Sequence, residues 1–269
     1  MFPDEAVTTL ISMRDFRAAL ERPLTDIRDE PVSIGCDVAL EGDDLTVICV
    51  VKGPRPLRIV RMAQRRGDEV GDEIHKLALE YGITKRSAHM IAIDSTGGYG
   101  EAPERHLARE YGYRVRGENF GASPIYNPDD PKLRKYRNRR TEMWCAMAQW
   151  IREEASLANL TPEYVRWLED DLPGCLVSYM ADQRRDLERK SDMKKRLGHS
   201  PDTGDALALA LSWRTARRYA PMPDLRGRST PPVAHPDDDL TDLDHPDHAL
   251  IDRRERSSPY AVGVRSPYR

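Results

Sequence analysis

Cysteine is scarce in this chain, which has four cysteines among 269 residues. They stand at positions 36, 49, 145 and 175, and no two of them have the C-x-x-C spacing of a zinc or redox site. Most lie in apolar stretches, where a cysteine behaves as a small core side chain. We therefore predict reduced, buried thiols rather than disulfides or a zinc centre.

Long apolar runs are absent as well. The longest lies near residues 206–213, far short of the roughly 20 residues that a membrane-spanning helix needs. The N-terminus is acidic and lacks the basic and then apolar order of a secretory signal. A mean hydropathy of -0.68 and 32% charged residues are typical of a soluble protein. We therefore predict a cytoplasmic protein with one substantial domain, with or without appendages, and no membrane partner.

Motifs of other enzyme classes are missing too. No G-x-x-x-x-G-K-[ST] segment occurs in the chain, and that loop cradles the phosphates in P-loop ATPases. ATP hydrolysis of this kind cannot be assigned to the sequence. No Ser-His-Asp arrangement is apparent, so we assign no attacking role to Ser95 or Ser200. His199 either polarises a water, contacts a phosphate or is a surface histidine without a chemical role.

The basic residues are concentrated in two segments, although the net charge is -3. In the first basic segment, 132–140, six of nine residues are Lys or Arg, and the second basic segment, 184–196, has seven basic residues against three acidic ones. Such segments either track a phosphate backbone or form solvated helix faces. The predicted DNA contacts are Lys132, Arg134, Lys135, Arg137, Arg139, Arg140, Lys194, Lys195 and Arg196.

Hydrophobic periodicity predicts an α/β fold. Two apolar runs between 32 and 51 flank the polar segment 41–44, which indicates a β-hairpin. This order of elements favours a mixed central sheet flanked by helices. Further strands are predicted at 57–63, 89–93 and 113–118, and helices at 68–81, 101–111, 141–157, 161–171, after 189 and at 202–218.

Composition divides the chain into three parts. Residues 1–30 have apolar positions at roughly helical spacing but are too few to fold alone, which indicates a linker helix. Residues 31–218 hold the predicted sheet and its helices. Residues 219–269 contain eight prolines and few large apolar groups. We predict that this last part is a disordered tail.

Two aspartates lie where strands end. Asp37 belongs to the first strand of the hairpin, on the face opposite Cys36 and Val38, where a buried carboxylate needs a compensating charge. Asp94 follows the short apolar strand, at a point where polar groups typically line a crevice. The glycines at 97, 98 and 100 let the backbone approach a phosphate, or else form an ordinary tight turn.

A second pair of aspartates starts the last predicted helix. Asp202 and Asp205 are three residues apart and therefore project from the same side of the first turn. We predict Ser200 as the cap and Pro201 as the first helical residue. The apolar run at 206–213 indicates a helix that is buried over most of its circumference. Asp205 should therefore point inward, toward a cluster of carboxylates that suits Mg²⁺ or Mn²⁺.

Five blocks of sequence, in order, resemble a known family over about residues 32–213. The blocks are Gly-Cys-Asp-Val-Ala with Glu-Gly-Asp-Asp-Leu-Thr-Val-Ile, then Ile-Asp-Ser-Thr-Gly-Gly-Tyr-Gly, Val-Arg-Gly-Glu-Asn-Phe-Gly, Tyr-Arg-Asn-Arg-Arg-Thr-Glu-Met-Trp and Lys-Lys-Arg-Leu-Gly-His-Ser-Pro-Asp-Thr-Gly-Asp-Ala-Leu-Ala-Leu. The resemblance is to the nuclease domain of the large subunit of tailed-phage terminases, whose fold is the ribonuclease H-like fold shared by retroviral integrases and Holliday junction resolvases.

The resemblance implies a Mg²⁺- or Mn²⁺-dependent endodeoxyribonuclease that uses two ions, about 3.5 to 4 Å apart. Asp37, Asp94 and Asp205 would be the catalytic metal ligands, and Asp202 would help to hold the second ion. One ion would activate the attacking water and the other would stabilise the departing 3′ oxygen. No protein nucleophile is then required.

The resemblance also implies partners. The substrate would be double-stranded concatemeric viral DNA, cut in the host cytoplasm during virion assembly, and the partners a packaging ATPase, the portal and the terminase small subunit. Residues 1–30 resemble a remnant of the connection to the ATPase, and the missing phosphate loop leaves open a fragment or a separate nuclease. Two alternatives also stay open: another ribonuclease H-like nuclease of the resolvase or transposase type, or a non-catalytic docking module of the packaging complex.

Overall fold

A computed structural model describes residues 7–39, 44–126, 132 and 134–215 of the chain. The predicted tail and the tip of the predicted hairpin at 41–43 lie outside the described residues. The elements are β1 Thr8–Thr9, α1 Met13–Glu21, β2 Val32–Asp37, β3 Leu45–Lys52, β4 Arg55–Ala63, α2 Gly67–Glu80, β5 Ile91–Asp94, α3 Glu101–Tyr111, β6 Arg116–Glu118, α4 Arg139–Glu153, α5 Pro162–Asp171, β7 Leu176–Tyr179, β8 Arg185–Leu187, α6 Lys190–Leu197 and α7 Asp202–Ala210.

The central sheet has five strands in the order β4-β3-β2-β5-β6. β2, β3 and β4 form an antiparallel meander, and β5 and β6 run parallel to β2. This is the mixed α/β sheet flanked by helices that the sequence predicted. The carboxyl ends of parallel strands meet at one edge of a sheet. Asp37 and Asp94, the last residues of β2 and β5, therefore lie at the same edge.

Each face of the sheet has its own hydrophobic cluster. Ile34 and Cys36 of β2 point to the face covered by α2 and α3, as alternation along a strand requires. Gly35 points to the other face, against α7, where a Cβ would lie only 2.1 Å from the carbonyl oxygen of Ala206. Glycine at this position therefore lets α7 approach the sheet closely, beside the end of β2.

The N-terminal segment belongs to the same core as the sheet. β1 pairs with β7 through Thr8 and Val177. In α1, Ser12 and Asp15 form a capping box, and Phe16 is completely buried in the cluster that also holds α4 and α7. The linker helix over 1–30 stays a prediction, and in the described part of this segment α1 packs against α4 and α7.

Arg22 joins this N-terminal segment to α4. Its guanidinium donates to the carbonyl oxygens of Ile151 at 3.0 Å and Arg152 at 2.5 Å, and also to that of Ala155. The carbonyls of Ile151 and Arg152 lie in the last turn of α4 and have no intrahelical partner, so a cation here also complements the helix dipole.

Replacing Arg22 with alanine should lower the free energy of unfolding by about 1–3 kcal/mol, because the last carbonyls of α4 lose their donors. Urea denaturation followed by circular dichroism measures this. The matched control is Arg17→Ala, on the exposed side of α1, which should change the free energy by less than about 0.5 kcal/mol. Equal effects of the two substitutions would contradict the capping role of Arg22.

The hairpin of β7 and β8 was not predicted. These short strands pair antiparallel, and with β1 they form a separate three-stranded sheet. The helix predicted at 202–218 ends earlier, at Ala210. Within the described residues, no helix combines the length and apolar character that a membrane crossing needs.

Candidate metal centre

Four aspartates converge at the carboxyl edge of the sheet. Asp37 ends β2, Asp94 ends β5, and Asp202 and Asp205 lie in the first turn of α7. All four are at least nine-tenths buried. The sequence predicted that these residues share one site, and the structure brings them together.

Lys190, the first residue of α6, lies among these carboxylates. Its Nζ is 2.8 Å from Asp37 Oδ2, 3.0 Å from Asp202 Oδ1 and 3.4 Å from Asp205 Oδ2. Burial would lower the pKa of Lys190, but the three carboxylates outweigh burial and raise it well above the usual lysine value. The ammonium is therefore charged and is the local counter-ion of the cluster.

Sequence analysis did not identify Lys190 as a site residue. It belongs to the second basic segment, where Lys194 and Lys195 offer the same residue type a few positions away. Only the fold shows that α6 begins beside the C-terminal end of β2 and the N-terminal end of α7. The signal needed to single out Lys190 is a tertiary contact, which one sequence does not contain.

Asp205 is held by two side chains of α4. Arg140 Nε donates to Asp205 Oδ1 at 2.9 Å, and the indole Nε1 of Trp144 donates to the same oxygen at 2.7 Å. Burial alone would raise the pKa of Asp205, but Arg140, Lys190 and Trp144 together lower it. Asp205 is therefore ionised, with a fixed orientation. The apolar stripe of α4, predicted as core, is core and also positions this carboxylate.

The pKa values of Asp37 and Asp94 are raised, in contrast to that of Asp205. Burial raises the pKa of Asp37 well above its usual range despite the ion pair with Lys190, and neighbouring carboxylates raise it further. Burial also raises the pKa of Asp94, although the backbone N–H of Thr96 donates to its Oδ1 at 2.8 Å. Crowded carboxylates of this kind are relieved by a nearby cation.

Asp202 leaves one oxygen without a hydrogen bond. Its Oδ2 accepts from the backbone N–H of Leu45 at 3.0 Å. Its Oδ1 is buried and, among the described residues, lies outside hydrogen-bond geometry with any donor, although Lys190 Nζ is within ion-pair distance.

The donor chemistry of this cluster fits Mg²⁺ or Mn²⁺, which prefer carboxylate oxygens. However, over the described ranges no three His, Cys, Asp or Glu side chains are arranged ready to hold a metal ion. The ammonium of Lys190 lies at the point that the oxygens of Asp37, Asp202 and Asp205 share. Metal binding would require its Nζ to move away.

Comparison with known proteins identifies the fold. No protein-family model and no curated protein matches the chain. Among solved structures, the nuclease domain of the large terminase subunit gp2 of bacterial virus Sf6 matches with a TM-score of 0.60 and 18% identity, over 76% of this chain and 98% of that chain. The chain has the fold of a terminase nuclease domain. The predicted ribonuclease H-like architecture is thereby confirmed.

Two further structures of the gp2 nuclease domain show the same likeness. Both are of a lysine-to-alanine mutant. The mutant with manganese has a TM-score of 0.61 and 18% identity, and the mutant with calcium a TM-score of 0.60 and 18% identity; both matches cover 76% of this chain and 99% of the other.

A cavity of about 500 Å³ opens beside the aspartates of this terminase nuclease fold. Asp37, Asp94 and Lys190 line its inner wall. Tyr99, which follows β5 and is 53% exposed, and the exposed Arg189 border it as well. The cavity thus connects the carboxylates to an aromatic and a cationic side chain at the surface.

The basic residues predicted to contact DNA occupy different environments. Arg139 is buried and pairs with Glu118 at 2.8 Å and Glu142 at 2.6 Å, so its guanidinium is not available at the surface. Arg140 is buried against Asp205. The predicted role in DNA contact does not fit these two positions. The more accessible members are Lys132, Arg134, Lys135, Arg137, Lys194, Lys195 and Arg196, of which Arg137 also lines the cavity.

The start of α7 differs from the prediction. Pro201 rather than Ser200 is the cap residue, so Ser200 as the cap was wrong. Asp171, at the end of α5, accepts instead from the backbone N–H of Gly204 at 3.0 Å, and its other oxygen lies 3.0 Å from His199 Nε2. Burial raises the pKa of Asp171 to about 6, although Gly204 and His199 act in the opposite direction.

The raised pKa of Asp171 predicts a pH-dependent effect of Asp171→Asn. Because the folded-state pKa of about 6 exceeds the ordinary 3.8, ionisation of Asp171 costs folding free energy above pH 6, and the cost disappears as the pH falls toward 4. The stability of Asp171→Asn relative to wild type should therefore be about 2 kcal/mol more favourable at pH 8 than at pH 4.5. Urea denaturation at both pH values measures this, and a pH-independent difference would contradict it.

Proposed function

We propose that this chain is a divalent-metal-dependent DNA endonuclease that cuts concatemeric viral DNA during genome packaging. The observation that carries the proposal is the convergence of four aspartates at the carboxyl edge of a terminase nuclease fold. Carboxylates gathered from distant segments are the ligand set that metal-dependent nucleases require.

Asp37, Asp94 and Asp205 are the proposed catalytic metal ligands, and Asp202 is the proposed additional ligand for a second ion. When bound, two Mg²⁺ or Mn²⁺ ions supply activation of a water and stabilisation of the leaving 3′ oxygen. Arg140 and Trp144 hold Asp205 in one orientation through Oδ1, and its Oδ2 accepts from Arg140 Nη2 at 3.3 Å and lies 3.4 Å from Lys190 Nζ.

Backbone donors do the same for the other carboxylates. The N–H of Thr96 fixes Asp94 and the N–H of Leu45 fixes Asp202. These donors hold one oxygen of each carboxylate, so the second oxygen is left to bind a cation. No side chain of the cluster is needed as a nucleophile.

The cavity is the proposed place for the strand that is cut. Arg137, which pairs with Asp186, and Arg189 line the cavity and are the proposed phosphate contacts. Tyr99 offers a ring on which a base or sugar packs. Lys132, Arg134, Lys135, Lys194, Lys195 and Arg196 extend the basic surface. Such contacts position DNA without reading its sequence.

The proposed setting is virion assembly in the host cytoplasm. The proposed partners are a packaging ATPase, the portal and the terminase small subunit. The Lys190 ion pairs also favour one second candidate, a docking module in which the acidic cluster is purely structural.

Substrate preference tests the proposal against a resolvase-type activity. Cleavage rates on plain linear duplex DNA and on a four-way junction with the same arms would be compared in Mn²⁺. A packaging nuclease should cut the plain duplex at a rate within about threefold of the junction, since phosphate contacts are insensitive to sequence. Cutting confined to the junction centre would contradict the packaging role, and no cutting of either would favour the docking module.

A further inference from the structure

The first turn of α7 lacks a side-chain cap of its own. Pro201 is the cap residue and has no side-chain acceptor. Ser200 Oγ is buried and has no hydrogen-bond partner in the described part of the chain. The first N–H groups of a helix have no intrahelical acceptor. This turn therefore depends on an acceptor from elsewhere in the fold, and it carries both Asp202 and Asp205.

Asp171 supplies that acceptor from the end of α5. Its Oδ2 accepts from Gly204 N at 3.0 Å, and its Oδ1 lies 3.0 Å from His199 Nε2. The carboxylate is 3% exposed, and the backbone N–H of Thr203 is a further hydrogen-bond partner in the same turn. Asp171 contacts the turn between the two aspartates of α7 rather than either aspartate itself.

Gly204 is fixed from two sides. Asp171 accepts from its N–H, and Trp144 of α4 lies against its Cα, where a Cβ would be 2.6 Å from the indole ring. The same indole donates to Asp205. Any rotation of the turn at Gly204 would therefore move Asp202 and Asp205 together, relative to Asp37 and Asp94 on the sheet.

The charge of the Asp171 carboxylate has both a cost for folding and a benefit for α7. Burial raises the pKa of Asp171 to about 6, so near neutral pH the charged form is present at a cost to folding. A neutral acceptor would satisfy the same amide without that cost. The negative charge, however, faces the positive end of the α7 dipole and holds the helix start more firmly.

We propose that Asp171, oriented by His199, is a positioning residue that fixes the first turn of α7 and thereby sets the directions of Asp202 and Asp205 for metal binding. The metal-binding part of this inference rests on the proposed function. Its structural part, the fixing of the turn, does not.

Two measurements on the full chain test the inference. Amide hydrogen exchange at Thr203 and Gly204, without metal, reports the firmness of the turn, and calorimetric titration with Mn²⁺ reports the ligand geometry. In Asp171→Ala we expect exchange at these amides to be at least about tenfold faster and Mn²⁺ affinity about 10- to 100-fold weaker, the range for residues that orient metal ligands.

Three further variants distinguish positioning from a general structural role. Asp171→Asn keeps an acceptor for the Gly204 amide but removes the negative charge at the helix start, so both values should lie between those of wild type and Asp171→Ala. His199→Ala should give a smaller change than Asp171→Ala in the same direction, because Asp171 loses only its orienting partner. Asp170→Ala, an exposed neighbour in α5, should match wild type in both measurements.

Several outcomes would overturn the inference. One is unchanged exchange at Gly204 in Asp171→Ala, and another is faster exchange with wild-type Mn²⁺ affinity. If Asp171→Ala does not fold, the exchange rates and Mn²⁺ affinities of His199→Ala and Asp171→Asn test the inference in its place. Exchange in His199→Ala at the wild-type rate would contradict the orienting role of His199. A wild-type chain that neither binds Mn²⁺ nor cuts DNA would refute the proposed function, and the exchange measurement would then still decide whether Asp171 fixes α7.

Discussion

Replacing Asp37 with asparagine should slow DNA cleavage by about a thousandfold or more, while the protein stays folded. The substitution removes a charged ligand from the cluster, and the loss of metal stabilisation of several kcal/mol corresponds to three or more powers of ten in rate. The protein should stay folded because asparagine has nearly the shape of aspartate, and Lys190 keeps Asp202 and Asp205 as ion-pair partners.

Initial rates of duplex cleavage in Mn²⁺ and the midpoint of thermal unfolding measure the two effects. Asp44→Asn is the matched control, since Asp44 lines the same cavity but pairs with Lys194, at 2.5 Å, outside the aspartate cluster. Its cleavage rate should stay within about threefold of wild type. Equal rates for wild type and Asp37→Asn would show that Asp37 is no catalytic ligand.

Replacing Lys190 with alanine should raise the affinity for Mn²⁺ by at least about tenfold. In the structure its ammonium occupies the point shared by oxygens of Asp37, Asp202 and Asp205, so cation and ammonium compete for the same site. Without the ammonium, the carboxylates repel one another until a metal binds. The unfolding midpoint of Lys190→Ala should accordingly fall in EDTA and rise more steeply with Mn²⁺ than that of wild type.

Calorimetric titration and thermal unfolding across a Mn²⁺ series measure this competition. Lys195→Ala, on the exposed side of the same helix, should bind Mn²⁺ as wild type does. If Lys190→Ala gains no affinity and only loses stability, Lys190 is a structural partner of the cluster. That result would favour the docking module over the nuclease.

The parts of the site that the sequence predicted are those fixed by regular structure. Asp37 and Asp94 end two strands. Parallel pairing of β2 with β5 brings the carboxyl ends of these strands to one edge of the sheet, and this does not depend on the other side chains of the strands. Asp205 lies in the first turn of α7, a helix whose residues are all buried. Its inward direction follows from the burial of that helix. Local pattern and strand order were sufficient for these three positions.

The parts that the sequence did not predict depend on contacts between distant segments. Arg139 and Arg140 look like surface cations in a basic segment, but Arg139 pairs with Glu118 and Arg140 with Asp205, which come close only after α4 docks. Lys190 has the same residue type as its exposed neighbours. The segment 8–21 becomes part of the core through β7 and α4, whose positions no local pattern reveals.

Cutting of supercoiled plasmid DNA by the purified chain, with Mg²⁺, Mn²⁺ or EDTA, tests the central claim most directly. The account predicts nicking and linearisation that need a divalent metal, stop in EDTA and are lost in Asp94→Asn, which keeps its fold by circular dichroism. Metal-independent cutting, or equal cutting by Asp94→Asn, would contradict the assignment of the aspartate cluster as the catalytic metal centre.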